Sequence, residues 1–266
     1  MKILVANVNT TQTMTDSIAA QARAVAAPDT EIVGITPRFG ADSCEGNFES
    51  YLAAIAVMDS VVNYDGEFDA VVQAGYGEHG REGLQELLDV PVVDITEAAA
   101  STAMYLGHKY SVVTTLDRAV PLIEDRLKLA GLDDRCASVR ASGMAVLELE
   151  EHPERAVEAI VRQAELAVTE DKAEVIVLGC GGMANLDEQI RERCGAPVVD
   201  GVAAAVHGDR ACSGRDDIGH EGRGDRDGDP DRVGAEERRG SDRCVLPAGG
   251  SGRPPRLCGG APPARG

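Results

Sequence analysis

FDAVVQAGYGEHG, residues 68–80, and AEVIVLGCGGM, residues 173–183, decide the fold. Each is an acidic residue, a short apolar run and then a glycine-containing turn. A helical stretch follows each one, REGLQELL at 81–88 and NLDEQIRERC at 185–194. The same tetrapeptide, PVVD, then closes both units at Pro91–Asp94 and Pro197–Asp200. Aligned in this way, Gly75 stands opposite Cys180. The openings correspond as well: KILVANVNTT at 2–11 matches KYSVVTTLDR at 109–118, each an apolar run ending in a polar turn. An internal repeat of this kind sets the architecture before any motif is read.

The runs ILVANV, DAVVQA, SVVTTL and EVIVLG are apolar almost throughout. Strands of a parallel sheet are covered on both faces and carry this pattern. Helical periodicity lies between them, in MTDSIAAQARAVAA, ESYLAAIAVMDSVVN, VPLIEDRLKLAGL and HPERAVEAIVRQAELAVTED. Pro153 sits near the first turn of the last of these, where its missing N–H costs nothing. Strands alternating with helices predict an α/β fold of two pseudo-symmetric, parallel-sheet, Rossmann-like half-domains, 1–100 and 101–207, with a cleft between them.

From Gly208 onward the composition changes. Residues 208–266 hold 14 of the 30 glycines, no aromatic residue, and 11 arginines against 11 acids. The net charge of −19 therefore belongs to the first 207 residues. Such a segment lacks the apolar surface needed to offset its ordering entropy, and a disordered tail is expected there. The helical pattern of DGVAAAV breaks off at His207, which fits either a reading-frame shift in GC-rich DNA or a genuine flexible tail. Translating the neighbouring frame separates the two, because only a shift leaves an amphipathic helix encoded there.

The acidic balance excludes a nucleic-acid partner, since phosphate neutralisation needs a basic surface. The apolar runs are strand-sized, so no membrane span is expected. The start, MKILVANVNT, lacks the apolar length of a secretory signal, and seven cysteines without one point to reduced thiols in the cytoplasm. Cys44, Cys136 and Cys194 show no metal-ligand spacing, so no metal is expected.

Ligands of parallel sheets bind at the carboxyl ends of strands. The loops Asn7–Thr11, Gly75–Gly80, Thr114–Arg118 and Gly179–Met183 lie there and can face one another across the cleft. Cys180 follows a strand and precedes a predicted helix, whose N-terminal N–H groups favour a thiolate. Gly181 and Gly182 beside it let a substrate approach the backbone. Asn7, Asn9, Thr10, Thr114 and Thr115 supply short donors and acceptors suited to the oxygens of a small polar substrate, and equally suited to turns and caps. Gly75 and Tyr76 open the equivalent loop. Glu78 and His79 are candidate acid/base groups, or alternatively residues flanking a helix. GYGEHG also matches G-x-G-x-x-G, with Asp94 19 residues beyond Gly75. Glu78 would oppose a pyrophosphate there, and the second half lacks the fingerprint, so nucleotide binding ranks low.

ILVANVNTTQTMT, YSVVTTLDRAVPLIEDRL, RCASVRAS, AEVIVLGCGGM and APVVDGVAAAV, taken in order, resemble the hydantoin/allantoin racemases of the aspartate/glutamate racemase superfamily, from Met1 to about Val206. The resemblance implies a homo-oligomer that needs no cofactor. It also implies an active site between the halves with two cysteines, one on each face of the substrate. The second matches Cys180. The first falls at Gly75, where this chain has no thiol. The resemblance then implies a racemase of 5-substituted hydantoins or allantoin acting through Cys180. Glu78, His79, Tyr76 or a held water would serve the other face. A superfamily branch with one cysteine in the second half and a small residue in the first, the arylmalonate decarboxylases, offers the alternative activity. A catalytically impaired ligand-binding homologue is the third reading.

Overall fold

The computed structural model describes residues 1–183 and 186–213. In chain order the elements are β1 (Lys2–Ala6), α1 (Gln12–Val25), β2 (Glu31–Ile35), α2 (Asn47–Val62), β3 (Ala70–Gln73), α3 (Arg81–Leu87), β4 (Val92–Asp94) and α4 (Ile95–Leu106). The second half repeats the plan with β5 (Tyr110–Thr114), α5 (Val120–Leu129), β6 (Cys136–Ala141), α6 (Glu148–Glu151), α7 (Pro153–Thr169), β7 (Val175–Leu178), α8 (Asp187–Cys194), β8 (Val198–Asp200) and α9 (Gly201–Ser213). The strands form two parallel four-stranded sheets with equivalent orders, β2-β1-β3-β4 and β6-β5-β7-β8.

The unbroken apolar runs have a direct cause. In β7, Val175 and Val177 pack into one core cluster with α4 and α5, while Ile176 and Leu178 pack into another with α7. In β1, Ile3 and Val5 face α1, and Leu4 and Ala6 face α2. Each fully buried aliphatic side chain stabilises by roughly 1.5–3 kcal/mol, so a polar residue on either face of these inner strands is strongly disfavoured.

The two copies of PVVD end their strands and start a helix. Asp94 accepts hydrogen bonds from the N–H groups of Thr96 (2.8 Å) and Glu97 (2.9 Å), and Asp200 accepts one from Ala203 N–H at 2.7 Å. Both aspartates therefore act as helix N-caps. The helices they start do not stay with their own sheets. On α4, Ala99, Ala100 and Ala103 pack against Tyr110, Val112, Val175 and Val177 of the second sheet. On α9, Val202, Ala205 and Val206 pack against Ile3, Val5, Ala70 and Val72 of the first. The crossing is tight: a Cβ on Gly201 would lie 2.9 Å from the carbonyl oxygen of Ile95. The expected boundary between residues 100 and 101 thus falls inside a helix that belongs by packing to the other half. The helix expected to break at His207 continues to Ser213. The disordered-tail expectation for 208–266 lies, beyond 213, outside the described residues.

Candidate active site

The carboxyl ends of the four inner strands meet across one cleft. Asn7, Val8 and Asn9 follow β1, Ala74 to Tyr76 follow β3, Thr114 ends β5 and Thr115 follows it, and Gly179 to Gly181 follow β7. The loops of the two halves touch: the Gln21 side chain donates to Gly181 O at 3.4 Å, and a Cβ on Gly181 would lie 3.7 Å from Ala74 O. Cys180 lines this cleft. It is followed by a single 3-10 turn, Gly181–Met183, with α8 starting only at Asp187. The expected helix N-terminus at the thiol is therefore replaced by the N–H groups of one short turn, in which Met183 N–H bonds back to Cys180 O at 3.1 Å.

Of the other expected residues, Asn7, Asn9, Gly75, Tyr76, His79, Thr114, Thr115 and Gly181 line the cleft. Asn7 is spent on the loop itself: its side-chain N–H group reaches Asn9 Oδ1, Thr11 O and Thr15 Oγ1, and its Oδ1 accepts from Val8 N–H. Asn9 Oδ1 is also occupied, by Asn7 and by Thr11 N–H, whereas its amide nitrogen faces only the Met14 thioether at 3.4 Å. A thioether is a weak acceptor, so this buried donor is available to a substrate oxygen. Thr114 donates to Gly179 O at 3.1 Å and so ties β5 to the Cys180 loop. Thr10 stands outside the cleft and holds the loop after β2 through Ala41 O and Asp42 Oδ1. Gly182 does not line the cleft, but a Cβ there would come within 3.7 Å of Cys180 Sγ.

Glu78 is not among the residues that line the cleft. Its carboxylate accepts from Gly80 N–H at 2.8 Å and pairs with Arg126 at 3.0 Å. The reason is electrostatic. Arg126, from the second half and 1% exposed, draws Glu78, Glu82, Asp94 and Glu97 of the first half around itself. Asp94 is engaged there and as the α4 cap, so it is not free to bind a ribose. Arg118 likewise points to Glu45 (2.6 Å) and Glu49.

His79 explains the glycine at 75. A Cβ on Gly75 would lie 2.4 Å from His79 Cδ2 and 2.4 Å from Val8 Cγ1. The imidazole therefore occupies the space that a side chain at 75 would need. Restoring a thiol with Gly75→Cys is expected to overpack the site and destabilise the fold by roughly 1–3 kcal/mol. Calorimetric melting checks this, and an unchanged Tm would show that the ring yields freely.

His79 is 2% exposed. Burial lowers its pKa from 6.5 to about 4, against the pull of its bond to Tyr76 O and of Asp94. The unfolded chain therefore takes up the proton first as pH falls. The neutral imidazole contributes roughly 3 kcal/mol of stability above pH 6.5, which is lost between about 6.5 and 4. Urea unfolding across that range is expected to show this slope in the wild type and a flatter one in His79→Asn. Equal slopes would contradict a buried neutral ring.

Cys44 belongs to no motif in the sequence. It lines the same cleft from the loop between β2 and α2, with its sulfur 3.8 Å from His79 Nδ1. That loop has no periodic pattern, so nothing local signals its destination.

The Asp/Glu/Hydantoin racemase family model matches residues 3–208. The chain belongs to that family. It is 38% identical to a hydantoin racemase of Pseudomonas sp. (strain NS671) over 207 residues, 77% of this chain and 83% of that protein. A solved allantoin racemase of Pseudomonas fluorescens is 80% identical, covers 79% of this chain and 90% of its own, and superposes with a TM-score of 0.79. Arylmalonate decarboxylase, at 17% identity and a TM-score of 0.55 over 80% of this chain and 92% of its own, shares the fold. As a racemase, this family member brings Cys180 and its pseudo-symmetric counterpart Gly75 to one cleft. Among the described residues no helix is long and apolar enough to cross a membrane.

Proposed function

We propose that this racemase interconverts the enantiomers of allantoin, a 5-substituted hydantoin, with Cys180 moving the proton on one face of the ring. The 80% identity to the allantoin racemase of Pseudomonas fluorescens carries the substrate assignment. The cleft supports it. Its described lining has neutral amides, hydroxyls and thiols, and no Lys or Arg. A neutral ring with several carbonyls suits such a surface, whereas a malonate dianion finds no countercharge there and meets a chain of net charge −19. The hydrogen at the ring's stereocentre is acidic because the adjacent carbonyl delocalises the carbanion as an enolate. The Cys180 thiolate removes that proton, and the enolate oxygen is held by neutral donors, of which the Asn9 amide and the Thr115 hydroxyl are the available ones.

The test uses one enantiomer of allantoin in deuterated water. Optical rotation is expected to decay to zero as the proton signal of the stereocentre disappears. Absence of both changes, with allantoin and with 5-substituted hydantoins, would sink the proposal. CO₂ release from an arylmalonate would replace it with decarboxylation. A homo-oligomer is part of the same reading: Phe48, Tyr51 and Ile55 form an exposed apolar stripe on α2, 77%, 69% and 58% accessible. Light scattering that finds only a monomer would count against it.

A further inference from the structure

Resting on the racemase reading above, we propose that Glu45 is a specificity-determining residue. By neutralising Arg118 at the rim of the cleft, it makes the site select a neutral ring over an anion of similar shape. A hydantoin ring has a close chemical relative, the acid formed when water opens one of its ring amides. That acid keeps the carbon skeleton and the ureido group but carries a carboxylate at neutral pH. Contacts that suit the ring do not by themselves exclude the acid, so discrimination needs an element that works against its charge.

The described lining of the cleft holds no Lys or Arg, yet one cation stands beside it. Arg118 lies in the loop after β5, directly before Ala119 and three residues after Thr115, both of which line the cleft. Its side chain is 54% exposed, and its guanidinium fork matches a carboxylate through two parallel bonds. Left free, it is the group that an anionic substrate would recruit.

The first half holds it instead. Arg118 donates to Glu45 Oε2 at 2.6 Å and to Glu49 Oε1 at 3.4 Å. Glu45 is only 6% exposed, and its other oxygen accepts from Val146 N–H at 2.8 Å. The carboxylate is therefore fixed from two directions and does not follow the guanidinium into solvent. Cys44, which precedes Glu45, and Val146 both line the cleft, so the ion pair sits at its edge. Gly46 supplies the room: a Cβ there would lie 3.0 Å from Glu49 Oε2 and 3.6 Å from Arg118 Nη1. Two carboxylates on one guanidinium leave the rim with one net negative charge. An incoming anion meets that charge and gains Arg118 only by displacing Glu45, whereas a neutral ring is indifferent to both.

The test uses Glu45→Gln combined with Glu49→Gln in the full chain. Glutamine keeps the shape and an oxygen for Val146 N–H but removes the charge from both partners of Arg118. The probe is the ring-opened acid of allantoin, added as an inhibitor of allantoin racemisation. The ratio of KM for allantoin to the inhibition constant of the acid is expected to rise by roughly 10-fold, as one charged hydrogen-bond pair is gained. Added salt should shrink the gain, because the pair is partly exposed. Adding Arg118→Ala to the same chain should abolish it. An unchanged ratio in a variant that melts like the wild type would overturn the proposal, as would a gain that survives the loss of Arg118. If the double variant does not fold, Glu49→Gln alone supplies a smaller shift of the same sign. A wild type that racemises no hydantoin refutes the racemase reading instead. Calorimetric binding of the acid to wild type and variant, which needs no turnover, still reads the role of Glu45 in that case.

Discussion

Replacing Cys180 with Ser is expected to lower kcat/KM for racemisation of both enantiomers by roughly 10³-fold. A hydroxyl holds its proton far more tightly than a thiol at neutral pH, so the base on that face is lost while the shape of the site is nearly kept. The loss should appear in kcat, because Cys180 acts on the reacting carbon and not on ground-state binding. Polarimetry with each enantiomer, together with a melting curve, checks this. Each direction of the reaction uses the groups of both faces, so both directions must fall together. A Cys180→Ser variant that keeps its full rate would make the cysteine structural and remove the chemistry proposed here. Residual deuterium exchange confined to one enantiomer is compatible with it, since the other face remains equipped.

Arg126 carries the largest expected effect on stability. It is a fully buried cation from α5 whose two terminal nitrogens meet four carboxylates of the other half. Asp94 is completely buried, while Glu78 and Glu82 are 41% and 48% exposed. Removing the guanidinium leaves the buried Asp94 with Arg81 Nε, 3.6 Å away, as its remaining countercharge, while the two half-exposed glutamates regain water. Arg126→Met is expected to cost roughly 3–5 kcal/mol, the usual penalty for leaving a buried charge without its partner. For a fold of this size that lowers Tm by about 10 °C. Adding Asp94→Asn to the same chain should recover part of the loss, because the stranded charge is gone. A single variant within 1 kcal/mol of wild type would show that the cluster is dispensable. The effect reaches the site as well: the cluster anchors the loop that carries Tyr76 and His79, so activity should fall together with stability.

Much of this molecule is legible in one dimension. The alternation of apolar runs with helical stretches, the repeat that pairs Gly75 with Cys180, and the position of Cys180 at the end of an inner strand all follow from local rules of burial and backbone geometry. So does the pairing of Asp94 with Asp200 at the ends of two PVVD segments. The edge strands β2 and β6 were less visible, since EIVGI and CASVRA are only partly buried and lack a continuous apolar run. What the tertiary structure alone decided concerns groups far apart in sequence. It sent α4 and α9 across to the opposite sheets, because that is where their apolar faces find cover. It paired Glu78 with a buried arginine from the other half. It filled the space above Gly75 with His79 and set Cys44 against that ring. Periodicity records which face of an element is buried, but not which distant element buries it, and contacts of that second kind placed the thiol, the imidazole and the carboxylate around this cleft.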